Sequence, residues 1–482
     1  QAENPKRVRT ARDLSGYSIQ PVPFEKVELT DHFWSHRLET NRTVTCPHNL
    51  SELKNQGSFT GFEILAGNAS QEYRGWMWAD TDVYKTLEGM AYCLKTHPNA
   101  DQDEQLKGFI DTIIAAQAPD GYLAPHLQLA EPNYVHFSEE TTRTSESYNF
   151  GHFIEMAVAH YEATGDRRCL ESAIKAADLL ERVQATGELE QIAGHSEIEI
   201  ALIRLYRATK EPKYISLAGR YVRNARTVPS TYCDRKPFLE RDEAWGHAVA
   251  AGYLYSGGVD VAVLQGDAEL LASMKRIWEN VVSKKLFLTG GVGLQRAEDF
   301  GANYDLPSAR AYAETCASIA MVFWNHRMFL ASGDAKYVDV LERTLYNGVL
   351  AGIGMSGNRF FYKNPLACPG QVPYERHSWS GCPCCPVNLV RFLPQVPGLV
   401  YATSDDDIFV NLFVAGTGNV ELGGQTVTLT QETAYPWDGT VKITTTMETP
   451  AAFTLRIRIP GWAQGQPLAS DLYRYLDADE SP

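Results

Sequence analysis

A unit that recurs between about residues 79 and 400 constrains this chain most: a helix, a short turn, and a second helix. Tyr161-Glu-Ala-Thr-Gly-Asp166 turns one hairpin and Tyr206-Arg-Ala-Thr-Lys-Glu211 the next, and Gln265-Gly-Asp267 and Ser332-Gly-Asp334 turn two more. An earlier hairpin, from about Asp82 to Ala118, breaks at His97-Pro-Asn-Ala100. Most of these turns supply glycine or asparagine for helix exit and an acid near the next helix start. Hairpins of this length, five or six of them, suit an (α/α)6 barrel, in which inner helices line a cavity and outer helices wrap them; a flat solenoid is the other arrangement. Long insertions at 119–148, 285–311 and 354–386 favour the closed form, with loops crowding one mouth.

After about residue 400 the period changes to alternation. Ile408–Val414, Gln425–Thr430, Thr440–Thr445 and Phe453–Ile459 read as strands of an antiparallel β-sandwich. The expected architecture is therefore a multidomain α+β chain. Its parts are an N-terminal wrapping segment (1–35, strand-like at Val27-Glu-Leu29), a barrel (36–402) and a β-sandwich (403–482) that is partial within this sequence.

Composition excludes several partners. A net charge of −15 argues against nucleic acid and anionic membranes. No apolar run approaches the roughly 20 residues needed to span a bilayer. The chain opens on Gln1 without a signal h-region, which suits a processed start; the expectation is an exported protein, periplasmic or extracellular.

The nine cysteines do not form a disulfide framework. Cys46, Cys93, Cys169 and Cys233 are scattered singly, where a free buried thiol is usual. Cys316, Cys368, Cys382, Cys384 and Cys385 cluster, which favours metal or catalysis. Adjacent cysteines such as Cys384–Cys385 rarely reach disulfide geometry but can grip one soft ion. Glu314-Thr-Cys316 adds a carboxylate and a thiol, and the Cys₃Glu set suits zinc. Its spacing matches no finger or ribbon, so zinc near an active site fits better than structural zinc alone. Cys382 either joins the set or packs beside it.

Gly151-His152, Gly194-His195 and Gly246-His247 each precede an apolar helix, and Glu314 takes the corresponding place in a fourth unit. Singly, each histidine reads as a cap or a satisfied core group. Recurring at equivalent positions, they converge in a toroid on one polar site suited to hydroxyl-rich ligands. Glu298 sits in a glycine-flanked polar loop, Tyr362 in an aromatic run, and Trp76, Trp78, Trp245 and Trp379 near the expected mouth.

Taken together these segments resemble glycoside hydrolase family 127, known for retaining β-L-arabinofuranosidases. The matching stretches are Gly151–Glu155 with Tyr161–Thr164, Gly246-His247 with Tyr253–Ser256, Tyr304–Pro307 and Tyr312–Ala317. Glu342–Asn347, Phe360–Pro365 and Cys384-Cys-Pro-x-Asn388 complete them, and the Cys-Cys-Pro-x-Asn form is closer to family 127 than to the related family 146. The resemblance implies Zn²⁺ held by Glu314, Cys316, Cys384 and Cys385, with Cys384 the nucleophile and Glu298 the acid/base. It implies sugar binding by His152, His195, His247 and Tyr362. Three thiolates, one carboxylate and the ion sum to −2, which is expected to raise the Glu298 pKa.

The family's sugar-binding glutamine is missing from Thr45-Cys-Pro-His-Asn49, where His48 or Asn49 would stand in. The expected substrate is a terminal β-L-arabinofuranosyl unit of plant cell-wall (pectic) glycans. The same mechanism on aceric acid of rhamnogalacturonan II is the alternative, with Arg310, Lys363 or Arg376 pairing its carboxylate. A polysaccharide lyase and a non-catalytic glycan-binding toroid with structural zinc are readings of other classes. A homodimer is one assembly open to the chain.

Overall fold

The computed structural model describes residues 16–138, 144–185, 195–225, 236–294, 298–368, 370 and 374–476. Gly194, Cys233 and the residues just before Glu298 lie outside them. Six helices, Ala79–Thr96, Glu146–Thr164, Ile198–Thr209, Ala248–Gln265, Thr315–Ser332 and Cys384–Phe392, make an inner ring among the described residues. Each packs on the next and the last packs back on the first, so the ring closes. Ala248–Gln265 is buried without interruption from Ala248 to Ala262, as a helix enclosed on all sides must be.

Among the described residues five outer helices, Ala100–Ala116, Arg168–Ala185, Lys213–Asn224, Ala268–Lys284 and Ala335–Arg343, each return along the inner helix before them. They bury a single stripe; Lys213–Asn224 buries Tyr214, Leu217, Ala218, Tyr221 and Val222, the spacing of one helix face. Gly165, Gly266 and Gly333 leave the inner helices at positive φ, and Asp267 and Asp334 cap the outer ones by accepting from Leu270 N and Lys336 N. The sixth outer position is filled from the other end of the chain: Cys46–Gln56 packs on both Ala79–Thr96 and Cys384–Phe392.

Among the described residues the β domain has two four-stranded sheets. One runs Gln20–Pro21, Tyr401–Ser404, Asp407–Val410, Thr454–Ile457; the other runs Val27–Leu29, Gly416–Leu422, Gln425–Thr433, Val441–Met447. Pairing is antiparallel except between Asp407–Val410 and Thr454–Ile457, which is parallel. The N-terminal segment thus does more than wrap the barrel: it supplies an edge strand to each sheet. Gln431 Nε2 donates to Tyr401 Oη across the sheets at 2.9 Å. Buried Arg458 fastens the domain to the barrel through Asp339 (2.7 Å) and Glu342 (2.6 Å). No described helix is long and apolar enough to cross a membrane.

Candidate active site

The N-termini of the inner helices meet at one mouth. A cavity there is lined by Trp78 and Asp82, Tyr148, His195, His247, Glu314 and Cys384, each at or near the start of a different inner helix. Cys384 and Cys385 are the first two residues of Cys384–Phe392, and Cys316 is the second of Thr315–Ser332. Helix N-termini carry partial positive charge and favour thiolates.

The three sulfurs are mutually close: Cys316 to Cys384 3.7 Å, Cys316 to Cys385 3.5 Å and Cys384 to Cys385 3.8 Å. Glu314 Oε1 is 3.6 Å from the sulfurs of both Cys384 and Cys385. A tetrahedral site with Zn–S near 2.3 Å has S···S edges of about 3.8 Å, so the donor set fits such an ion without rearrangement. The protein alone pays for this crowding electrostatically. Burial and the neighbouring Cys384 push Glu314 well above the usual carboxylate range, and its buried Oε2 has no hydrogen-bond partner. Burial also drives Cys385 up, whereas at Cys316 burial is outweighed by its hydrogen bonds with Cys384 and Cys385, which bring it below an ordinary thiol. These four residues can hold a metal ion. A second group, Glu88, His152 and Glu155, has similarly close ligand atoms, but Arg391 already occupies it.

Glu298 reaches the same cavity from its loop, which is pinned by Ala248 N to Glu298 O (3.0 Å) and Phe300 N to Gly246 O (3.1 Å). Its backbone φ is 58°, a left-handed conformation that costs a non-glycine residue about 1–3 kcal/mol and is typical of functional sites. Tyr312 Oη donates to Glu298 Oε1 at 2.5 Å, and His247 Nε2 lies 2.8 Å from Oε2. Ala250 N donates to His247 Nδ1, which caps the helix; the proton therefore sits on Nε2 and points at Glu298. Burial pushes Glu298 up, but these two donors outweigh it and leave it below the usual carboxylate range. The expected upward shift from the anionic cluster is thus not found, because the nearest groups are donors rather than the thiols.

Tyr362 Oη stands 3.1 Å from Cys384 Sγ, and Tyr362 O accepts from Thr315 N at 3.0 Å, tying it to the helix that carries Cys316. His195 and His247 face one another with ring centroids 5.3 Å apart. His152 does not join them. Its helix begins at Glu146 rather than at Gly151, so Tyr148 takes the place at the cavity and His152 lies a turn below, fully buried, 3.7 Å from Glu197. Cys382 lines the cavity but is not one of the four grouped ligands.

Neither proposed stand-in for the missing glutamine lines the cavity: His48 bonds Ser378 O at 2.8 Å, and Asn49 is buried. Arg310, Lys363 and Arg376 are likewise absent from its lining, and Arg376 is bound to Ala351 O. Trp76 and Trp78 are at the mouth; Trp245 and Trp379 are not among the lining residues. Asp82, Lys85 and Tyr148, with no role assigned from the sequence, line the cavity, and Tyr312 bonds Glu298. Tyr312 lay in a quoted motif; the others are isolated polar residues on helices.

A ring of helix N-termini around a cavity that carries carboxyl, imidazole and thiol groups, with tryptophans in its wall, suits a carbohydrate-cleaving enzyme. The model for the β-L-arabinofuranosidase GH127 catalytic domain matches residues 26–398, and that for the GH127 middle domain matches 407–471. The chain belongs to glycoside hydrolase family 127 and is a glycoside hydrolase. The non-reducing end β-L-arabinofuranosidase of Bifidobacterium longum subsp. longum is 33% identical over 446 residues, covering 84% of this chain and 67% of that protein. A solved GH127 β-arabinofuranosidase is 42% identical with a TM-score of 0.91, covering 97% of this chain and 75% of the other. The GH127 β-L-arabinofuranosidase of Geobacillus stearothermophilus T6 is 35% identical with a TM-score of 0.87, covering 90% and 75%.

Proposed function

We propose that this enzyme is a retaining exo-β-L-arabinofuranosidase acting on plant cell-wall glycans outside the cytoplasm, with Cys384 as nucleophile and Glu298 as acid/base. The observation that carries this reading is one cavity shared by Glu298 and by a thiol–carboxylate cluster of tetrahedral dimensions. The names of the relatives support the sugar. Zn²⁺ held by Glu314, Cys316, Cys384 and Cys385 would supply a charge that keeps Cys384 deprotonated and stabilises it as a leaving group.

In the first half, Cys384 Sγ bonds the anomeric carbon as the glycosidic C–O bond breaks, and the Glu298 proton passes to the leaving oxygen. In the second, water attacks the same carbon, Glu298 takes its proton, and the C–S bond breaks with its electron pair returning to sulfur. Two inversions give retention. Tyr312 and His247 favour the carboxylate form of Glu298, which the second half needs. The first half needs one of these donors to turn aside as the leaving oxygen enters. His195, His247 and Tyr362 meet the sugar's hydroxyls from the cavity wall.

Proton NMR of p-nitrophenyl β-L-arabinofuranoside hydrolysis tests this. The first-formed sugar is expected to be the β anomer, and Cys384→Ser is expected to abolish turnover while its circular dichroism is unchanged. An α first product, an unsaturated ultraviolet-absorbing product, or near-normal turnover by Cys384→Ser would overturn the reading. Fractionation of the native host tests the location.

A further inference from the structure

The cavity has a second wall that the chemistry above does not use. It is built by the first two turns of Ala79–Thr96, which place Thr81, Asp82 and Lys85 at the cavity with Trp78 just before them and Tyr148 alongside. Asp82 is 1% exposed, and its Oδ2 is buried without a hydrogen-bond partner. A buried polar oxygen left unpaired costs free energy, and such atoms in native proteins are nearly always satisfied by something. Lys85 is equally buried; it donates one of its three N–H bonds to Tyr148 Oη at 2.6 Å. Asp82 and Lys85 are each other's strongest charged influence, yet they make no ion pair within 4 Å. The wall therefore presents an acceptor lacking a donor beside a cation with donors to spare.

That combination complements a hydroxyl group, which donates to the carboxylate and accepts from the ammonium. Position decides which hydroxyl. Ala79–Thr96 packs directly on Cys384–Phe392, the helix that begins with the two thiols. Glu298 is held at the start of Ala248–Gln265, which lies across the ring from Ala79–Thr96. In a retaining displacement the leaving group departs on the side of the acid and the ring stays with the nucleophile. A group on the thiol side therefore meets the sugar being released rather than the aglycone.

We propose that Asp82, with Lys85 beside it, binds a ring or exocyclic hydroxyl of the released sugar and thereby sets specificity for that hydroxyl. This rests on the function proposed above. A site built to hydrogen-bond a substrate hydroxyl discriminates strongly against an analogue lacking it, because its own buried groups are then left unpaired. Burial pushes the Asp82 carboxyl well above its usual range, and a donor from the sugar would offset that cost.

The test compares wild type and Asp82→Asn on p-nitrophenyl β-L-arabinofuranoside and on its 2-, 3- and 5-deoxy analogues, with bound metal and melting temperature measured for both proteins. Asp82→Asn should lose about 10- to 100-fold in kcat/KM on the parent sugar, the range for a hydrogen bond to a charged group. On one deoxy analogue the two proteins should be equal, since the partner is gone from both sides of the cycle. Metal content should not change. An equal loss on the parent and every analogue would assign Asp82 to structure alone, and full activity of Asp82→Asn on the parent would remove it from the site; either overturns the inference. Absence of turnover by wild type on every one of these furanosides would instead overturn the underlying function. In that case calorimetric binding of a thio-β-L-arabinofuranoside, weakened by Asp82→Asn, would still support the inference, and unchanged binding would overturn it.

Discussion

Arg391→Met should destabilise the barrel by about 3–5 kcal/mol, the cost of removing one partner from a buried ion pair. Arg391 sits two turns after Cys384 on the same helix and is 2% exposed. Its guanidinium bonds Glu88 on one inner helix (3.2 Å), Glu155 on a second and Tyr253 Oη on a third (3.2 Å), and Asn388 (2.7 Å) on its own. Four inner helices are thus keyed to one another at this side chain. Without it, Arg204, at 3.1 and 3.5 Å, is the cation left to two buried carboxylates, with Tyr92 Oη still donating to Glu88 at 2.8 Å. Against a typical domain stability of about 5–15 kcal/mol the variant would be marginal. The pH dependence has a definite sign. Burial alone would raise both carboxyls; at Glu88 it prevails, but Arg391 and Arg204 hold Glu155 below its usual range, so Glu155 carries the acid dependence. A depressed folded pKa stabilises the protein above the unfolded carboxylate value and is lost as pH falls through the folded one. The gap between wild type and variant should therefore be full at pH 7 and narrow on acidification below about pH 4.3. Urea unfolding at several pH values measures it, and Arg391→Met/Glu155→Gln should recover part of the loss. A variant within about 0.5 kcal/mol of wild type at pH 7, the scale of an ordinary surface change, would refute the reasoning. So would a gap that does not close in acid.

Three further outcomes follow from individual contacts. Gly89→Ala should lower both stability and activity, because the new Cβ would lie 2.7 Å from Val390 O and 2.3 Å from Val390 Cγ1 where two inner helices touch; overpacking typically costs about 1–3 kcal/mol, against a gain of about 1 kcal/mol in helix propensity. Thermal unfolding and turnover measure it together. Tyr312→Phe removes a donor that favours the Glu298 carboxylate, so the alkaline limb of the kcat/KM profile should move to higher pH, with metal content unchanged. If the proposed metal is held here, Cys385→Ala should carry less of it by elemental analysis than wild type, since Cys385 is the wholly buried member of the thiol cluster.

The toroid was legible because its turns are local: Gly-Asp at 266–267 and 333–334 needs no partner elsewhere to stop one helix and start another. The sixth outer helix was not, since Cys46–Gln56 reaches its neighbours only through ring closure. For the same reason, nothing local marks Gln20–Pro21 as an edge strand of a sheet built mostly after residue 400. At the site, adjacent cysteines and Glu-Thr-Cys are rare enough to be noticed, and the structure brings Glu314, Cys316, Cys384 and Cys385 together. Gly151 reads as a helix start, whereas here it lies inside a helix and makes room for another: a Cβ on it would strike Glu197 at 2.0 Å, and His152 beside it is buried below the lining residues. Asp82 and Lys85 look like surface polar residues on an amphipathic helix until that helix is seen to be enclosed.

Attack by Cys384 on the anomeric carbon is the central claim, and its covalent product can be observed directly. With Glu298→Ala and an aryl β-L-arabinofuranoside, the good leaving group needs no acid, but the intermediate lacks the base that activates water. Intact-mass and peptide mass spectrometry should then find one pentosyl adduct, mapped to Cys384. An adduct on another residue, or an α-configured product formed with no adduct at all, would contradict the account.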